Sequence, residues 1–198
     1  MKKQLTLQQY RNIDLFLFAA MLAIFEFLIV RFAIASVYTL SLAGAICTIV
    51  YMRWGWWGGI HEALAGVLFC FYYSHFVPGA AAVDWSDYVI YIIGNLFSLL
   101  AVFGLLKAGK ERVRQNTLAS LGFSLAVILL MQGGRALMAL TLGAAPGDAL
   151  GFFYYDPLSV LFTLVVTWIV RRLDGVFEDQ KHYLLRLQEE RERNNSEQ

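Results

Sequence analysis

Apolar residues in this chain run in long blocks broken by short polar stretches, with six blocks at roughly 13–31, 36–53, 57–76, 87–106, 117–142 and 153–171. A helix needs about 20 mostly apolar residues to cross a bilayer, and each block approaches that length. The pattern therefore predicts an all-α, polytopic membrane protein with six transmembrane helices. Beyond Arg172 the pattern changes. Leu173, Val176, Phe177, Leu184 and Leu187 recur at helical spacing among Asp, Glu, Lys and Arg, which predicts a C-terminal amphipathic helix at the cytoplasmic boundary. Two units follow: 1–172, a six-helix membrane domain, and 173–198, a cytoplasmic helix with a frayed end.

Charge gives the arrangement a direction. Lys2, Lys3 and Arg11 precede the first block, Arg53 ends the second, Lys107, Lys110, Arg112 and Arg114 fill the link from fourth to fifth, and Arg171 and Arg172 close the sixth. By the positive-inside rule these regions, and with six spans both termini, are cytoplasmic. The alternate links at 32–35, 77–86 and 143–152 carry no Lys or Arg and are read as external. Asp84, Ser86 and Asp87 offer N-caps for the fourth helix. Asp156 before Pro157 fits a cap with proline at the first helical position of the sixth. A polar, basic lead and Glu26 inside the first block speak against a cleaved signal peptide.

Composition agrees and removes several function classes. The chain is 59% apolar, and its formal net charge of +1 is spread over several links, which gives no nucleic-acid face. Cys47 and Cys70 lie within apolar blocks without disulfide or metal-ligand spacing, so no metal site or cofactor is expected. His61 and Glu62 lack the second histidine of a zinc-protease helix, Ala65 standing in its place. They are read as satisfying each other or the interface. No nucleotide-binding loop and no catalytic dyad has a defining spacing, so the chain is not expected to be an enzyme.

Of sixteen basic residues only Arg31 and Arg135 fall on the outer side, and a charge within the bilayer normally faces a cavity or a partner. Counting about 1.5 Å of rise per residue places Glu26, Arg31, Tyr72, His75, Tyr91, Asn95, Gln132, Arg135 and Asp156 in the outer half. These nine are the candidate binding residues. Tyr88, Tyr91, Asn95 and Ser98 make one polar stripe, and Asp156, Ser159, Thr163 and Thr167 make another. Opposed across a bundle, the stripes would line a pocket. Arg31 at a helix end equally suits a snorkelling residue, Asp156 a simple cap, and the tyrosines an aromatic belt. Arg135 beside Gly133 and Gly134 is harder to explain that way, because glycines let a backbone or ligand approach closely. Guanidinium groups suit a carboxylate or phosphate, carboxylates a cationic or donor group, and aromatic rings a ring system.

Ala19 and Ala23 place two small side chains four residues apart on the first helix, where another helix can pack closely. Six spans in about 200 residues, both termini inside, an Ala-xxx-Ala stripe and an outer polar pocket together resemble the substrate-binding S component of energy-coupling factor (ECF) transporters. That resemblance implies a bacterial plasma-membrane protein that captures a vitamin-like small molecule outside. It also implies partners: a transmembrane T subunit that packs on Ala19 and Ala23, and two ATPase subunits. The alternative is a membrane-anchored sensory or interaction protein acting through its cytoplasmic tail, with a membrane enzyme third.

Overall fold

The computed structural model describes residues 6–32, 40–77 and 82–196, and among them every regular element is helical. The helices are α1 (Leu7–Phe32), α2 (Ala43–Trp54), α3 (Gly58–Phe76), α4 (Trp85–Leu96), α5 (Leu99–Ala108), α6 (Lys110–Gln115), α7 (Thr117–Thr141), α8 (Pro146–Tyr154), α9 (Pro157–Val170) and α10 (Gln180–Ser196). A single 3₁₀ turn, Gly55–Trp57, joins α2 to α3. Four stretches are long and apolar enough to cross a membrane: Leu7–Phe32, Trp85–Ala108, Thr117–Thr141 and Pro146–Val170. The second predicted block opens on residues 36–39, which lie outside the described residues, as do 33–35 and 78–81 of the predicted links.

Two of the four stretches are bent, and each bend has a local cause. Between α4 and α5 the Ser98 hydroxyl donates to the Asn95 carbonyl at 2.7 Å, and the amides of Phe97 and Ser98 close three-residue turns on Gly94 and Asn95. A hydroxyl competing for helix carbonyls tightens and bends the helix. Between α8 and α9, Pro157 lacks the N–H that would continue the first helix, so a new one starts there. The predicted external link 143–152 is largely helical, because Pro146 at the first turn of α8 starts a helix there.

α2 is the axis of the bundle. Every residue in it except Trp54 is buried, packed among α1, α3, α7 and α9. Its run of small and β-branched side chains allows that all-round contact, whereas α1 leaves Phe16, Leu17, Met21, Ile24, Phe25 and Leu28 exposed along its outer face. In a bilayer such an exposed apolar stripe is solvated by lipid rather than penalised by water. α4 crosses α7 at two glycines. A Cβ on Gly134 would lie 2.2 Å from the Gly94 carbonyl oxygen, and one on Gly94 would lie 2.6 Å from the Arg135 Cα.

Asp84 caps α4, accepting from the Ser86 and Asp87 amides, while Asp87 accepts from the Asp84 amide. That reciprocal capping box fixes the start of the helix two residues before the predicted boundary. Asp156 stands at the N-cap position of α9 but makes no capping bond. Its carboxylate is drawn to Gln132 instead.

At the opposite end of the bundle the predicted tail helix starts late. Residues 171–179 are irregular, and helix resumes only at Gln180. The Asp174-Gly175 pair makes the turn, with Gly175 at φ +73°. Apolar spacing had suggested helix from Leu173, but Phe177 instead enters the core beside Tyr51, Met52 and Val102. Arg53 ties the turn down, bonding Asp14 through two nitrogens at 2.7 Å each and reaching the Gly175 and Val176 carbonyls. Trp54 donates to the same Asp14 at 2.5 Å, Arg114 pairs with Asp174 at 2.6 Å and Glu178 at 2.8 Å, and Lys110 pairs with Asp179 at 2.7 Å.

Burial pushes the Asp179 carboxyl up, but the Lys110 bond and charge, with the Lys181 and His182 amides, outweigh it and hold the group below its usual value. A carboxylate depressed in the folded state contributes stability above its ordinary titration range and loses it as pH falls toward the lowered value. Corrected deuterium uptake across 171–180 is therefore expected to rise between about pH 5 and about pH 3. Asp179→Asn should flatten that rise. An unchanged pH profile in the variant would show that other groups hold the tail.

Candidate ligand pocket

Two polar ends are separated along α1. Asp14 belongs to the tail clamp and Glu26 to the other end, twelve residues or about 18 Å further along the helix. Around Glu26 the bundle encloses a cavity of about 330 Å³, the size of a small-molecule site. Its walls come from α1, α3, α4, α7, α8 and the α8–α9 junction, together with Leu40, Ser41 and the first residue of α2, Ala43.

α7 supplies the central group. Arg135 is buried, donates through Nε to Asn95 Oδ1 at 2.7 Å and through Nη1 to Gln132 Oε1 at 3.3 Å, and lies 4.0 Å from Asp156. Gln132, one turn earlier on the same face, donates to Asp156. The guanidinium also covers the Tyr91 ring at 4.8 Å. Tyr91 is packed in turn by Phe69 at 4.5 Å and Phe152 at 5.9 Å between ring centres. The Gly94–Gly134 crossing makes this possible, because only two backbones without Cβ atoms bring Asn95 and Arg135 within bonding distance.

Glu26 approaches from α1. Its Oε1 accepts from the Ser41 hydroxyl at 2.7 Å and the Leu42 amide at 2.9 Å, at the positive end of α2. The Ser41 amide reaches across to Ser159 Oγ at 2.9 Å, joining Glu26 to the polar stripe of α9. That stripe, Asp156, Ser159, Thr163 and Thr167, is buried throughout its length.

Five of the nine candidate residues line the cavity: Glu26, Tyr91, Gln132, Arg135 and Asp156. Asn95 stands directly behind, orienting Arg135 while its amide donates to the Glu62 carbonyl at 2.9 Å. The other three are elsewhere. Arg31 is exposed at the end of α1. His75 is exposed, stacked on Phe71 and within 2.8 Å of that residue's carbonyl. Tyr72 packs against Phe27 and Phe76, off the cavity. Helical depth put these three in the right layer, but their azimuth turns them outward.

Sequence reading passed over Ser41, Phe69, Asp148 and Phe152, all of which line the cavity. Three of them were discoverable: Phe69 lies one turn from Tyr73 on α3, and Asp148 and Phe152 follow the proline that starts α8. His61 and Glu62 do not pair. His61 Nε2 sits 2.9 Å from the Leu15 carbonyl, while Glu62 is fully buried beside Ser98 and Cys47 with neither carboxylate oxygen hydrogen-bonded. Ala19 and Ala23 are half-buried on the shoulder of α1, between its exposed face and the packed residues Leu22 and Glu26.

The arrangement has the chemistry of a binding site. It offers a fork of donors, carboxylate acceptors and aromatic faces around one hollow. Among the described residues no cluster of His, Cys, Asp and Glu is grouped to hold a metal ion. No protein-family model, curated protein or solved structure matches the chain.

Proposed function

We propose that this chain is the membrane-embedded binding subunit of an ECF-type uptake system, with six membrane crossings and both termini in the cytoplasm. In this reading the short α2 and the more polar α3 complete the crossings alongside the four long apolar stretches. The Arg135 pocket then opens outward and the clamp around Arg53 faces the cytoplasm, in keeping with the basic residues gathered at that end. The protein captures a small organic molecule and passes it inward with a transmembrane T subunit and two ATPase subunits. It supplies recognition and no bond chemistry.

One observation carries the reading: a cavity of about 330 Å³ whose buried guanidinium and carboxylates are held in place by the bundle itself. Charged groups within a bilayer are costly, and their convergence on a hollow is the expected signature of a ligand or transport path. Native mass spectrometry of gently solubilised protein tests it. A retained small molecule is the expected result, and co-isolation of a T subunit and two ATPases extends it to transport. An empty protein from cells supplied with rich medium, isolated alone, would defeat the proposal.

The partner surface is assigned to the Ala19–Ala23 shoulder. Ala19→Trp or Ala23→Trp is expected to leave the affinity for the retained molecule unchanged while lowering its uptake about tenfold, because close helix packing depends on small side chains. Parallel loss of affinity and uptake would instead place these alanines in the fold of the subunit. The sensory alternative draws on the salt-bridged clamp, which couples α10 to the bundle. Self-association through residues 173–193 alone would favour it.

A further inference from the structure

The charges around the cavity do not balance, and the imbalance names the kind of molecule that fits. The carboxylates that line it are the buried Glu26 and Asp156 and the exposed Asp148, against one guanidinium, that of Arg135. Between Lys3 and Lys107 the chain contains no lysine, and its arginines there are Arg11 and Arg53 at the far end and Arg31, which is exposed; between Arg114 and Arg171 Arg135 stands alone. Residues 33–39 and 78–81 contain no Lys, Arg or His, and the one histidine at this end, His75, is exposed. Glu62, behind Asn95, adds a further acid and no cation.

Arg135 is committed to one side of the cavity. It lies 4.0 Å from Asp156 and is bridged to it by Gln132, which makes those three groups a nearly neutral unit. Glu26 is in no ion pair with a described residue. It is 2% exposed, and its Oε1 accepts from the Ser41 hydroxyl and the Leu42 amide. The start of α2, through Leu42 and Ala43, faces this carboxylate, and the residue lines the cavity. Dipoles from a hydroxyl and a helix start offset part of a carboxylate's charge and leave the rest unmatched. A buried charge of this kind is stabilised by an opposite charge held at contact distance.

Resting on the pocket reading above, we propose that the bound molecule carries a cationic nitrogen, seated on the Glu26 carboxylate and flanked by the aromatic rings of the cavity. Phe69, Tyr91 and Phe152 suit the carbon atoms next to such a nitrogen, since aromatic faces attract cationic groups. Arg135 repels a second cation on its own side, and Asp148 is exposed to solvent, so the buried place for the positive group is at Glu26. The specificity is thus for charge position as well as charge sign.

The test uses the full chain in lipid nanodiscs, freed of retained molecules and incubated with an equimolar mixture of 2-phenylethylamine, tyramine, 3-phenylpropanoate and 2-phenylethanol. Native mass spectrometry then reads which masses stay bound. The two amines are expected to be retained over the carboxylate and the alcohol. Glu26→Gln, which preserves shape, should weaken the amines about thirtyfold, as loss of a buried charge partner does. Should that variant lose its cooperative melt, Glu26→Asp keeps the charge and is expected to retain amines over carboxylate with lower occupancy. Retention of the carboxylate or alcohol alone, or of amines equally by wild type and Glu26→Gln, overturns the cation assignment and leaves the pocket standing. Retention of none of the four overturns both.

Discussion

Arg135→Ala should destabilise the folded bundle by about 3–5 kcal/mol, the cost of removing one partner from a buried charged network. Four groups lose their contact at once. Asn95 Oδ1 and Gln132 Oε1 are left without the guanidinium donor, Asp156 without its cation, and Tyr91 without the group covering its ring. Each is buried or nearly so, and no water shell replaces what is removed. Denaturant titration in mixed micelles, followed by tryptophan fluorescence, would measure the loss. The molecule retained by the wild type should also bind more weakly, by about 2 kcal/mol or more, because the pocket loses its organising centre.

Two companion variants separate charge from geometry. Arg135→Lys keeps the positive charge but lacks the planar fork that reaches Asn95 and Gln132 simultaneously, so it should recover only part of the stability. Arg135→Met with Asp156→Asn removes both charges and should be more stable than Arg135→Ala, since no uncompensated member of that pair remains. If Arg135→Ala instead unfolds within about 1 kcal/mol of wild type, the network is a surface-like pairing with little energetic weight.

How much of this was legible beforehand depends on which physical signal each feature uses. Long apolar blocks revealed the helices, because length and hydropathy are properties of the sequence alone. The stripes on α4 and α9 were legible for the same reason: helical periodicity put Asn95 and Ser98, and Asp156 through Thr167, on common faces that the bundle buries. Rotation of whole helices is set by packing, which periodicity does not encode. Arg31, His75 and Tyr72 shared the depth of the cavity and missed its azimuth. Asp156 read as a cap because Asp-Pro is a capping pair, and tertiary contact with Gln132 then outcompeted the local bond. The tail shows the same competition. Apolar spacing from Leu173 suited a helix, yet Gly175 and the Arg53 clamp turned Phe177 into the core.

The adjacent glycines of α7 offer the sharpest separation of a local from a tertiary effect. Gly134→Ala should cost about 3 kcal/mol, because the new methyl meets the Gly94 carbonyl oxygen at 2.2 Å and the Phe97 Cβ at 2.7 Å. A backbone atom of a packed helix does not rotate away as a side chain would, so α4 and α7 must separate. Separation also breaks the 2.7 Å bond from Arg135 to Asn95, and the pocket should lose affinity along with stability. Gly133→Ala, one residue earlier, meets only the Phe153 Cζ at 4.0 Å and should be neutral or stabilising by up to about 1 kcal/mol through helix propensity. Gly94→Ala should resemble Gly134→Ala, and the double variant should cost less than the two together, since the first methyl already forces the helices apart. Equal effects at 133 and 134 would mean that α4 and α7 do not cross at this point. Arg135 would then lose the contact that aims it into the cavity, so measuring the two glycines tests the pocket from its backbone side.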